Sequence, residues 1–355
     1  MRILVLVNWG IKYLSRDDQR IQSPDKSVNG ERYWFFKYWP EDVLVDVVDY
    51  SRLPYFHTFE KKILKVYIWQ ALIAALKVKG YDLIISHGAQ SGIVLAFLRT
   101  LFGNRNPPHI IIDIGCFNGA RENLLETLPI EFGGRSLSGI IYHSKVQLQY
   151  YKKHFNSLLP NIQYIPFGVD TDFFSPMDVN EENIIVAFGF KKRDYITLCH
   201  AWELLKPTNV TLKIIGIKTP PVMGLRELPN GVDIYDAMSI DDLKNVIARA
   251  LFIAIPLPYY NYSYGQMSLL QSMSMGKAVI ITKTPGVIDY VRDNVDALFV
   301  RPYDVDDMKE KISHLLRHPD KVREIGDRAR RATLDTFSEE LMSRRMYDFV
   351  QTISI

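Results

Sequence analysis

The chain has 355 residues, 47% hydrophobic and 23% charged, with a formal net charge of +3, and is long enough for two domain cores. This composition excludes a disordered chain, and so mild a charge excludes a protein built to bind nucleic acid. Two cysteines far apart in sequence, Cys116 and Cys199, give neither a disulfide framework nor a metal-ligand spacing, and read as buried thiols in a reducing compartment.

In chain order, "MRILVLVNWG" is too short for a signal or spanning segment and reads as a first buried strand, Arg2–Val7. The loop behind it offers Asn8 and Gly10 as ligand neighbours beyond the strand's carboxyl end. "GERYWFFKYWP" (Gly30–Pro40) mixes aromatics with lysine, and a second strand follows at Val43–Asp49. A helix is expected over Glu60–Lys79, with Ile63, Tyr67, Ala71 and Ala74 on one stripe and Lys61, Lys62, Lys65, Lys77 and Lys79 near its ends. That pattern fits a core helix with lysine-tipped ends, or a basic amphipathic helix lying on an anionic membrane surface.

The next strand, Asp82–Ser86, ends in "SHGAQSG". His87, Gly88, Gln90 and Ser91 there make a polar, glycine-containing strand end suited to ligand contacts, or His87 is an ordinary hydrogen-bonding residue. Strand His109–Ile114 ends with Asp113, Asn118 and Gly119; Asp113 either orients a substrate or caps a turn. Strand Gly139–His143 and helix Ser144–Phe155 lead to a proline-punctuated boundary, "PNIQYIPFGVDTDFFSP". Its Asp170-Thr171-Asp172 has a metal-binding spacing but no further acidic ligands in sequence, and reads as loop structure.

A second series then starts, with strands at Asn183–Ala187, Thr211–Ile215, Leu251–Ile255 and Ala278–Thr282 and a helix at Ile240–Ala250. Gly189 follows its first strand, with Lys191, Lys192 and Arg193 behind it. "SYGQMSLLQSMSMGKAVI" reads as a glycine turn, an uncharged helix, a glycine stop and a buried strand. The remainder is helical by pattern. Continuous apolar strands alternating with helices indicate parallel sheets covered on both faces, with ligands outside the carboxyl ends of the strands. No run reaches about 18 uncharged apolar residues, so no spanning helix is expected.

"YIPFGVDTDFFSP", "VAFGFKKRDYITLCHAW", "GQMSLLQSMSMGKAVIITKTPGVIDYVRDNVDALFVRPYD" and "FSEELMSRRMYDFV" occur in the order of the corresponding segments of retaining GT-B glycosyltransferases of the family-4 kind (glycosyl transferases group 1), which this chain resembles over most of residues 160–350. The resemblance implies an α/β fold of two Rossmann-like domains whose parallel sheets face across a cleft. The acceptor-side domain would span 1–165 with a returning helix at about 337–355, and the donor-binding domain 166–336. It implies transfer of a sugar from a nucleotide-diphosphate sugar to a glycan, lipid-linked or small-molecule acceptor, with retention of configuration.

No metal or other cofactor is expected, and surface-polysaccharide assembly on the cytoplasmic side is the setting the resemblance suggests. The diphosphate would lie at the helix start formed by Gly265, Gln266 and Met267, where free amides and the helix dipole favour an anion. Arg193 and Lys192 would neutralise it, with Phe190 standing where the family has an arginine after Gly189. Two glutamates usual in the family are Ser263 and Gln271 here. No protein nucleophile is expected, and Asp113 and His87 are the candidates for orienting acceptor or sugar. The departures at Ser263 and Gln271 keep two other readings open: a non-catalytic binding subunit of the same shape, and a nucleotide-sugar epimerase.

Overall fold

The computed structural model describes residues 1–15, 26–49, 58–117, 124–189, 192–217 and 227–353. Two compact units result. The first comprises Met1–Pro166, Asn261–Ser263 and Met342–Ile355, and the second Phe167–Tyr260 and Tyr264–Leu341.

The first unit carries β1 (Arg2–Val7), a small parallel pair β2 (Lys12–Leu14) and β3 (Lys26–Val28), then β4 (Leu44–Val48), β5 (Leu83–His87), β6 (His109–Asp113), β7 (Gly139–Tyr142) and β8 (Ile162–Tyr164). Its main sheet runs β4-β1-β5-β6-β7-β8, every pair parallel. Every residue of β5, β6 and β7 is buried, as expected of a parallel sheet with helices on both faces. The strand order reverses between β1 and β5, which makes the carboxyl ends of those two strands the crevice of this sheet.

Gln70 braces that crevice from below, its buried amide donating to the carbonyls of Val7 at 2.8 Å and Val48 at 2.6 Å. The aromatic stretch Gly30–Pro40 proves to be core. Phe35, Phe36 and Trp39 are buried, Trp39 Nε1 donates to the Ser343 carbonyl, and Ser343 Oγ donates to that of Phe35.

The single helix expected over Glu60–Lys79 is broken. A π-helical turn at Glu60–Leu64 ends at Lys65, whose φ is +57° and whose amide bonds the Glu60 carbonyl at 2.7 Å; an α-helix then runs Ile68–Lys77 and closes in a 3-10 turn, Val78–Gly80. Tyr67, Ala71 and Ala74 are buried, whereas the break throws Ile63 off their stripe and into solvent.

The second unit carries β9 (Ile184–Phe188), β10 (Thr211–Ile215), β11 (Val232–Tyr235), β12 (Phe252–Ile255), β13 (Val279–Thr282) and β14 (Leu298–Val300), all parallel, in the order β11-β10-β9-β12-β13-β14. Here the order reverses between β9 and β12. Of the helix Gln266–Ser274, all but Met267 is buried, which accounts for its lack of charged residues, since an unpaired charge there would be costly.

The carboxyl end of that helix is held by Arg330. Its Nη1 donates to the Ser274 carbonyl at 2.8 Å, to Ser274 Oγ at 2.9 Å and to the Thr171 carbonyl at 3.0 Å, a cation at the negative end of the helix dipole. Asp170 organises its own loop, its Oδ1 accepting the amides of Asp172 and Phe173. Among the described residues no group of three or more metal-ligating side chains occurs, and no helix is long and apolar enough to cross a membrane.

Candidate functional site

In the second unit, the crevice between β9 and β12 is framed by Gly189, Lys192, Arg193 and the start of the helix Gln266–Ser274. Gly189 has φ +136°, and a Cβ there would stand 2.5–2.6 Å from the Arg193 guanidinium, so glycine is what lets the arginine fold back over the strand end. Arg193 Nε donates to the Phe188 carbonyl at 3.0 Å, Nη1 to the Tyr264 hydroxyl at 2.9 Å and Nη2 to Ser268 Oγ at 2.7 Å. The guanidinium is thereby fixed at the first turn of the helix. Lys192 (φ +53°) places its ammonium 5.1 Å from the ring centroids of both Tyr260 and Tyr264, and its carbonyl accepts the Tyr264 hydroxyl at 2.7 Å.

Gly265 (φ +89°) caps that helix and approaches Leu257, 2.7 Å from where a Cβ would lie, and its carbonyl receives the Leu269 amide. The amides of Gln266, Met267 and Ser268 belong to the first turn, which has no intrahelical acceptors for them and no acidic side chain. Two cations, free amides and a positive dipole end thus converge with no opposing charge, the arrangement an anion requires.

The remaining residues named from the sequence fall differently. Gln266 turns inward and donates to the Gly286 carbonyl, so its side chain serves a loop. Met267 is half exposed, and Ser263 groups with the first unit. Gln271 is 6% exposed, on the second turn of the helix Gln266–Ser274. Phe190 and Lys191 lie outside the described residues.

In the first unit, His87 ends β5 at the sheet's reversal point, buried, with neither ring nitrogen hydrogen-bonded among the described residues. Trp9 meets it edge-on (centroids 5.0 Å, 84°) and Trp34 stacks on it (4.8 Å, 25°). Trp34 holds φ +48°, a backbone that a bulky residue adopts only where its surroundings impose it. Burial, with His143 nearby, lowers the His87 pKa to about 3, so the imidazole is neutral at ordinary pH.

Asn8 stands beside it, donating to Gln90 Oε1 and accepting from Ser91 Oγ at 2.9 Å. Gly88 (φ +100°) must be glycine, because a Cβ would overlap the Asn8 amide. Half-buried Gly10 follows Trp9 at the edge of this group. Asn118 lies outside the described residues.

Asp113 corrects an expectation. Its Oδ1 accepts the amides of Gly115 at 3.0 Å and Cys116 at 2.8 Å, and its Oδ2 accepts the Tyr151 hydroxyl at 2.7 Å and Gln147 Nε2 at 3.1 Å. Burial raises its pKa, opposed by these four donors. With both oxygens saturated inside the fold, the carboxylate organises a turn and has no lone pair left to orient a substrate.

Sequence reasoning did not single out Tyr264, Trp9 or Trp34, and it did not place Ser268 against Arg193. Arg193 and Tyr264 are 71 positions apart, so no local spacing rule links them. The one legible signal was the run of tyrosines just before Gly265.

Residues 182–318, from β9 to the helix beyond β14, match the family described as Glycosyl transferases group 1. Over 188 residues the chain is 26% identical to the MMP alpha-(1->4)-mannosyltransferase of Mycolicibacterium hassiacum, a match covering 50% of this chain and 45% of that protein's own length. Among solved structures, Anabaena HepE in complex with UDP superposes with a TM-score of 0.67 at 15% identity, covering 99% of this chain and 100% of the other. Sucrose-phosphate synthase from Thermosynechococcus elongatus gives 0.71 at 16%, covering 99% of each. The fold is GT-B, with two Rossmann-like α/β units.

Proposed function

We propose that this chain is a glycosyltransferase that moves a sugar from a nucleotide-diphosphate sugar to a glycan, lipid-linked or small-molecule acceptor with retention of configuration. The observation that carries the reading is the Arg193–Lys192 pair held at the start of the helix Gln266–Ser274. The family match over residues 182–318 and the relative named as a mannosyltransferase support it, as does a neighbouring fold whose structure contains UDP.

In this reading Arg193, Lys192 and the helix amides bind the diphosphate and stabilise the charge it gains as the glycosidic bond to it breaks. In the same reading Gln271 meets the ribose hydroxyls. The acceptor oxygen bonds the anomeric carbon on the face the diphosphate leaves, and the acceptor proton passes to the departing phosphate, so no protein nucleophile takes part. With two fixed cations at the diphosphate, the reading uses no metal. The neutral group of Asn8, His87, Trp9 and Trp34 suits a sugar, through hydrogen bonds and ring contacts, rather than a phosphate. Surface-polysaccharide assembly on the cytoplasmic side is the setting proposed.

The test is a thermal-shift screen against UDP, GDP, dTDP, ADP and CMP, repeated on Arg193→Ala, followed by NMR of the anomeric product. A ligand bound only to the folded state at a hundredfold excess over Kd adds about 2.7 kcal/mol of stability. A shift with one nucleoside diphosphate that Arg193→Ala abolishes supports the site and names the base. No shift with any of them favours the non-catalytic binding subunit, for which the absence of the two glutamates at Ser263 and Gln271 already speaks. Conversion of donor without acceptor would point to the epimerase.

A further inference from the structure

The broken segment Thr58–Tyr81 is apolar on two sides. Toward the core, Gln70, Ala71 and Ala74 are buried and the Gln70 amide is tied to the sheet. Away from it, Trp69, Leu72 and Leu76 recur at i, i+3 and i+7 of the helix Ile68–Lys77 and are exposed, Leu76 by 88%. The turn at Lys65 adds Ile63 and Leu64 of the preceding π-helical turn and Phe59 just before it, with Ile63 67% exposed. A helix with a core-facing stripe needs no second apolar stripe to fold, and six large apolar side chains exposed within eighteen residues exceed the scattered singles of an ordinary surface.

The charge on this segment has one sign. Lys61, Lys62, Lys65, Lys77 and Lys79 are all exposed. Glu60, the only acid between Thr58 and Tyr81, is 0% exposed, and its Oε1 accepts the Trp69 amide at 2.8 Å near the helix start. The fold therefore removes the one negative charge from the face and leaves lysines around tryptophan and leucines. A second copy of the chain across a two-fold axis would set lysine against lysine, which disfavours self-association through this face. An acidic planar surface with an apolar layer beneath it matches both features.

We infer that the face formed by the Glu60–Leu64 turn and the outer side of Ile68–Lys77 docks on a lipid bilayer bearing anionic headgroups. The apolar side chains enter the boundary of the acyl chains, Trp69 sits at headgroup level, and the lysines pair with the lipid phosphates. This inference is independent of the proposed glycosyl transfer and would stand if that reading failed.

The experiment is co-sedimentation of the full chain with vesicles of phosphatidylcholine alone and of phosphatidylcholine mixed in equal parts with phosphatidylglycerol. Binding is expected to the mixed vesicles, to fall with added salt, and to be marginal on the neutral ones. Replacing the three turn lysines together, Lys61→Gln, Lys62→Gln and Lys65→Gln, should weaken it on the order of a hundredfold. The pair Trp69→Ser and Leu76→Ser should weaken it roughly tenfold or more.

All five side chains are exposed, so far-UV circular dichroism should be unchanged in both variants. Absence of binding to the mixed vesicles overturns the inference, as does binding that neither variant reduces. Sedimentation velocity showing a dimer that Trp69→Ser with Leu76→Ser dissolves also overturns it, because a second copy would then be what covers the face.

Discussion

The two units are built on the same plan and differ where it matters for chemistry. Each is a six-stranded parallel sheet, but the order reverses between the first and third main strands in one unit and between β9 and β12 in the other. At the second unit's reversal the fold gathers two cations against a helix start. At the first unit's reversal it gathers a neutral histidine, an asparagine and two tryptophans. In the proposed reading this shared architecture offers one place for an anion and one for an uncharged polyol, and the side chains beyond the strand ends decide which is which.

The largest expected effect that would sharpen this contrast is acid. His87 is lowered to about 3, His143 to about 4 and His109 well below its ordinary value, all by burial in the first unit. Unfolded, each titrates near 6.5, so between these values the unfolded chain binds more protons than the folded one. The stability these buried neutral rings allow is complete above about 6.5 and is lost as pH falls toward 4 and 3. Melting followed by limited proteolysis should show the first unit unfolding first as the pH drops from about 7 to about 4.5. His87→Phe should blunt that sensitivity. Equal losses in both units would break the comparison.

Second in size is Gly326→Val. A Cβ at Gly326 would run into the Gly276 carbonyl behind the site helix, so the substitution should cost the second unit about 3 kcal/mol. A urea melt should resolve an earlier transition for the second unit while the first keeps its midpoint. Third is Tyr264→Phe, which removes the hydroxyl that accepts from Arg193 and donates to Lys192 but keeps the ring beneath both cations. Titration calorimetry should show UDP binding roughly five- to tenfold weaker, from about 1 kcal/mol per hydrogen bond, with UMP unaffected. Equal weakening of both would mean that Tyr264 supports the loop and does not position the cations. The smallest effect is Gln271→Ala, expected to lower nucleotide affinity about threefold while the melting temperature stays put. A fall in melting temperature without loss of affinity would assign it to the core.

The strand–helix rhythm was legible because continuous apolar runs bounded by glycine and proline encode burial directly, and β1 and β10 fall on their expected residues. Short edge strands such as β8 and β14, of three residues each, carry too little pattern to be seen. The segment Glu60–Lys79 reads in sequence as one helix, because an interruption at Lys65 leaves no mark in hydrophobic periodicity. Gly189, Lys192 and Arg193 were legible as a glycine followed by cations at a strand end. Asp113 was ambiguous in sequence, and only its four donors, two from residues 34 and 38 positions away, turn it inward.

By itself, then, the sequence determined the alternating α/β plan, the glycines that let the chain turn at strand ends, and the cations beside one of them. These follow from local composition and period. The tertiary structure alone decided where each strand order reverses, that Tyr264 and Ser268 hold Arg193, that Glu60 is hidden while its lysine neighbours are not, and that His87 is kept neutral between two tryptophans. Each of these depends on side chains brought together from distant parts of the chain or on which side of an element faces the core, and both are settled only when the sheets and helices pack.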